Sequence, residues 1–141
     1  MKIGFTVMIL FLGLIAPAWA GEDTGALFDQ TCGACHFRYR DPSKRDEMVA
    51  PPMDMMSAHL RALTGNDRAA FVARVTEYIK APDPAKTADA MAVQRFGLMP
   101  AIGETFPDLD DGQLQALAGW IFDQFAKAQL PPADQRGRMR P

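Results

Sequence analysis

The chain is poor in the residues that most site chemistries require. Its 141 residues include two cysteines and two histidines. That is too few for a disulfide scaffold, and a zinc site asks for about four ligands. Basic residues are not in excess, with 15 Lys and Arg against 17 Asp and Glu, a formal net charge of −2. Nucleic-acid binding needs a basic face to neutralise phosphates, so this balance argues against such a partner. No run after residue 21 is long and apolar enough to span a bilayer. No segment alternates convincingly as a strand, and there is no internal repeat or long low-complexity tract. A phosphate-cradling loop and a nucleophile–base pair are also missing, so the sequence offers no catalytic site. The length suits one modest core and not two domains.

The apolar run that does exist is at the start. After Met1 and Lys2, the stretch from Ile3 to Gly21 is uncharged and ends in Pro17-Ala18-Trp19-Ala20. A short basic start, an apolar centre and a small-residue A-x-A end describe a secretory signal peptide. Residues 1–20 are therefore expected to be removed, and residues 21–130 to form one domain. An uncleaved anchor is the rival, opposed by Pro17 and the A-x-A site. The absence of a cysteine just after the cleavage site excludes a bacterial lipoprotein. Removal of Lys2 with the leader leaves a net charge of −3. Beyond Leu130, Pro131-Pro132 and a tail carrying Arg136, Arg138 and Arg140 are expected to be disordered.

The two cysteines are not scattered. They stand at Cys32-Gly33-Ala34-Cys35 and are followed at once by His36. C-x-x-C-H is the attachment signature of c-type haem. Two thiols three residues apart can each add to one porphyrin vinyl group, and the next residue can then present its imidazole to the iron. A redox disulfide would ask for a βαβ pattern, which is absent. Half a zinc site would ask for further ligands, and the remaining histidine, His59, has no companion.

With Phe96-Gly97-Leu98-Met99-Pro100 and Leu117-x-x-Trp120-Ile121, this motif resembles the small monohaem class I cytochromes c of the bacterial periplasm, over most of residues 24–126. The resemblance implies an all-α, class I cytochrome c-like bundle of short helices around one covalent haem c. It implies thioether bonds from Cys32 and Cys35, and His36 and Met99 as axial iron ligands. A proline carbonyl holds the proximal histidine in that family, a role open here to Pro51 or Pro52. It also implies a terminal-helix crossing formed by Gly25, Phe28, Leu117 and Trp120. The expected function is one-electron transfer in the periplasm between redox partner proteins, a dehydrogenase or a terminal oxidase, with no enzymatic activity and no membrane span. The alternatives are a cytochrome subunit of a periplasmic dehydrogenase complex, and a haem sensor or enzyme with an open or bis-His sixth position, His59 then being the second ligand.

The residues by themselves also read as helices. Thr24 is placed to cap a first helix reaching His36. Asp41-Pro42-Ser43 marks a turn, and Pro51-Pro52 a stiff extended piece. A short helix is expected from Met55 to Leu63, stopped by Gly65. Asn66 is placed to cap a helix to Lys80, on which Phe71, Val72, Val75, Tyr78 and Ile79 recur at helical spacing. Thr87 is placed to cap a helix to Phe96, closed by Gly97. Asp110-x-x-Gln113 forms a capping box. It opens the strongest amphipathic pattern, Leu114, Leu117, Ala118, Ile121, Phe122 and Phe125. Met91 is expected in the core, and Met53, Met55 and Met56 along the haem edge. Glu104, Asp108, Asp110 and Asp111 read as a solvated loop with an N-cap, or as a docking patch for a basic partner.

Overall fold

The computed structural model describes residues 20–132, with side chains from residue 24 onward; the expected leader, up to residue 19, and the tail after residue 132 lie outside the described residues. Six α-helices follow one another: α1 (Ala20–Gln30), α2 (Met53–Leu63), α3 (Arg68–Lys80), α4 (Ala90–Phe96), α5 (Ile102–Thr105) and α6 (Asp111–Gln124). Short 3-10 turns occupy Cys32–Ala34, Pro42–Glu47 and Pro84–Lys86. The described residues contain no strand, which makes the chain all-α as expected. None of these helices is long and apolar enough to cross a membrane.

Local chemistry explains most helix ends. Asp110 and Gln113 form the expected reciprocal capping box at the start of α6. Gly97 closes α4 at φ +83°, a backbone that L side chains rarely adopt. Five expectations about helix ends are corrected. The first helix stops at Gln30 instead of reaching His36, and Thr24 lies buried within it instead of capping it. Thr31 ends that helix by returning its N–H and its hydroxyl to the Leu27 carbonyl, at 3.1 and 2.7 Å. The helix α2 begins at Met53, two residues before the expected Met55, because Pro52 already stands at the N-cap position with extended backbone. Asn66 does not cap α3. It shares the turn with Gly65 at φ +61° and +60°, and Asp67 accepts from the Ala70 N–H at 2.7 Å instead. Asp89 likewise takes the cap expected of Thr87, accepting from the Met91 and Ala92 N–H groups.

The amphipathic face of α6 organises the packing. Helices α1, α2 and α3 all contact it. Phe28, Met53, Phe71, Val75, Leu117, Ala118, Ile121 and Phe125 form one buried cluster. At the α1–α6 crossing the Phe28 and Trp120 rings lie 4.9 Å apart, centroid to centroid. The glycine there is not demanded by crowding, since a Cβ on Gly25 would meet the Trp120 ring at 3.5 Å, an ordinary contact. Arg38 ties this crossing to the loop after α1. Its guanidinium donates to Asp29 at 2.9 and 2.8 Å and lies over the rings of Phe28 and Trp120. This bond holds the exposed Asp29 carboxyl below the usual carboxylate range.

The crossing predicts a contrast between two variants. Phe28 is fully buried, so Phe28→Ala is expected to cost about 3–5 kcal/mol in denaturant unfolding. Gly25→Ala is expected to stay within about 1 kcal/mol of the parent, because the methyl fits and alanine favours helix.

Candidate functional site

The C-x-x-C-H segment is positioned by the way α1 ends. After Thr31 the chain tightens, and the Cys35 and His36 N–H groups both reach the Cys32 carbonyl, at 3.2 and 2.8 Å. The same segment is tied to α2 by its backbone. The first N–H groups of that helix, those of Met53 and Asp54, donate to the Phe37 and Arg38 carbonyls at 2.8 and 3.1 Å. Helix-terminal N–H groups lack partners inside their own helix, so these carbonyls satisfy them and lock the register between the two segments. That register brings Pro51 to His36.

The His36 Nδ1 lies 2.7 Å from the Pro51 carbonyl oxygen. A carbonyl only accepts, so Nδ1 carries the proton and Nε2 keeps its lone pair. Burial pushes the imidazole below its ordinary pKa, and the Pro51 bond opposes this in part. Both effects together describe a fixed, neutral ring with one nitrogen able to ligate. Of the two candidate prolines, Pro51 makes this bond. Pro52 is buried at the N-cap position of α2 and serves the helix start.

His36 opens onto an apolar cavity of about 270 Å³. Cys32 and Cys35 line it beside His36, and the segment Val49 to Pro51 continues the wall. Met53, Met56 and Leu60 of α2 and Val75, Tyr78 and Ile79 of α3 contribute further apolar surface. Leu117, Ala118 and Ile121 of α6 line it too, and with Met53 and Val75 they are shared with the core. Leu98, Met99 and Pro100 lie along it, in the loop released by Gly97. Cys35, Val49 and Leu98 are exposed, which marks where the cavity meets solvent.

The two cysteines are free thiols. Burial raises the Cys32 thiol above its ordinary pKa, so it rests protonated. Cys32, Cys35, His36 and Met99 therefore share one hollow, although Met99 is far from the others in sequence. Among the described residues no three His, Cys, Asp or Glu side chains group as a metal site of their own. The remaining candidates fall elsewhere. His59 is not part of the cavity wall, and its Nε2 lies 3.5 Å from an Asp89 carboxylate oxygen. Met91, expected in the core, is 52% exposed on the outer side of the short α4. Met55 is not among the lining residues, whereas Met53 and Met56 are. In the acidic stretch, Asp110 is the α6 cap and Asp111 pairs with Lys80 at 2.5 Å. No protein-family model, curated protein or solved structure gives a significant match to the chain.

A cavity lined by core residues has a consequence for folding. Whatever fills it buries apolar surface at about 25 cal/mol per Å², and binding to the folded state alone adds to stability. The Cys32→Ala/Cys35→Ala variant, unable to hold a covalent occupant, is expected to melt with low cooperativity when followed by calorimetry. A sharp transition like that of the parent would show that the helices suffice alone.

Proposed function

We propose that this chain is a one-electron carrier built on a single covalently attached haem c, of the class I cytochrome c kind. The observation that carries the proposal is the convergence of Cys32, Cys35, His36 and Met99 on one apolar cavity, with the His36 Nδ1 held by Pro51. These residues fit the group. Its vinyl carbons suit two neighbouring thiols, its apolar ring suits the wall, and its iron suits an imidazole whose Nε2 is free. A bound haem would supply one iron centre able to gain and release a single electron.

The protein's part follows from its own residues. Cys32 and Cys35 bind the ring by thioether bonds, which retain it through every redox cycle. His36 ligates through Nε2, and the Pro51 carbonyl fixes the ring orientation and raises ligand basicity. Met99 ligates from the loop after Gly97, and a thioether in that position favours the reduced state and a raised potential. Two such protein ligands would leave a bound iron no site for a substrate, which favours a carrier over an enzyme. The apolar wall excludes water, and the exposed Cys35, Val49 and Leu98 lie where a redox partner can approach. Export to the periplasm through residues 1–20 belongs to the same proposal, since covalent haem attachment and secretion go together in the family it resembles.

The ligand assignment is tested by substitution. In Met99→Ala the sulfur-to-iron charge-transfer band of the ferric protein is expected to disappear. The reduction potential should fall, within the range of about 0.8 V over which axial ligands tune haem iron. Carbon monoxide should bind the ferrous form rapidly. Met91→Ala and His59→Ala should leave all three readouts unchanged. Retention of the band and potential in Met99→Ala, with their loss in either of the other variants, would overturn the assignment.

A further inference from the structure

The charged groups of the cavity wall are unequal. Among the described residues no aspartate or glutamate lines it, and the two Lys or Arg side chains that do are Arg74 on α3 and Lys86 on the turn that follows. Lys86 is already engaged, with its Nζ 2.6 Å from Glu77 Oε1 at the surface. Glu77 is correspondingly held below its usual range, first by that hydrogen bond. Arg74 hydrogen-bonds to no carboxylate, and its charge adds only a lesser part to the lowering of the Glu77 pKa. Its Nη2 donates to the Lys86 backbone carbonyl at 3.0 Å, and its Nε–H is buried without an acceptor. A buried guanidinium N–H left unmade carries its full desolvation cost. The natural complement of that planar fork is a carboxylate.

Resting on the reading of the cavity as a haem site, we propose that Arg74 binds a propionate carboxylate of the group, with Nε as the donor that now lacks a partner. The Lys86 carbonyl already holds Nη2, so Arg74 is a binding residue positioned by backbone, with Nε as its open donor. Among the described residues the wall offers no acidic side chain to compete, and Glu77 is occupied by Lys86. A guanidinium so placed keeps the propionate ionised, because a nearby opposite charge favours the charged form.

The test uses the intact holoprotein with haem labelled by carbon-13 at the propionate carboxyls, followed by infrared spectroscopy across a pH series. In Arg74→Met the carboxylate band of one propionate is expected to move. The pH at which that group takes up a proton should rise by about one unit or more. Arg74→Lys, which keeps the charge and loses the fork, should give an intermediate shift and serves if Arg74→Met does not fold. Lys86→Met/Glu77→Gln keeps the backbone carbonyl and frees no carboxylate to pair with Arg74, so it should match the parent. Unchanged propionate bands in both Arg74 variants overturn the proposal, as does a Lys86→Met/Glu77→Gln variant that reproduces the Arg74→Met shift. A parent protein without covalent haem, seen at once in its visible spectrum, is a different failure, that of the cavity reading on which this proposal rests.

Discussion

The fold depends on an apolar hollow that its helices enclose and do not fill. Met53, Val75, Leu117, Ala118 and Ile121 belong at once to the buried cluster and to the cavity wall. The inner face of α6 thus meets helices α1, α2 and α3 and also the hollow. Short helices joined by long loops give such a chain a thin core of its own. An occupant of the hollow would complete the core as well as perform the chemistry, so stability and function meet on the same side chains.

The site is built mainly from backbone. Thr31 ends α1 and lets the C-x-x-C-H segment tighten. The Met53 and Asp54 N–H groups then bond to the carbonyls that follow His36. This brings the Pro51 carbonyl to the imidazole at 2.7 Å. Arg38, between Asp29 and the rings of Phe28 and Trp120, fastens the same loop to the terminal-helix crossing. A carbonyl acceptor, unlike a carboxylate, orients the histidine without adding charge to a low-dielectric wall.

The parts of this architecture that rest on local patterning were legible in the sequence. The α6 capping box needs only Asp110 and Gln113, and its buried face follows a 3.6-residue period. The Cys32, Cys35 and His36 cluster is contiguous and its chemistry is set by spacing. What was not legible depends on competition between neighbours or on distant contacts. Asn66 and Asp67 are both good caps, and the choice fell to Asp67 because Asn66 is used in the left-handed turn. Thr87 and Asp89 compete in the same way. Pro51 and Pro52 are indistinguishable until the register with Phe37 and Arg38 is known. Met91 looked like core as an apolar residue on a helix, but which face of the seven-residue α4 packs inward is decided by distant contacts, and Met91 is on the exposed one. Arg74 lay within an amphipathic helix where a single cation carries no signal, and only its position on the cavity wall makes it informative.

The central claim is that the hollow holds one haem bound through both cysteines. Intact mass spectrometry of the purified native protein, before and after acid–acetone extraction, tests it most directly. The account predicts a single species heavier than its polypeptide by one haem, unchanged by extraction, with the added mass mapping to the peptide that contains Cys32 and Cys35. A mass equal to the polypeptide alone, or a haem that the extraction removes, would contradict it.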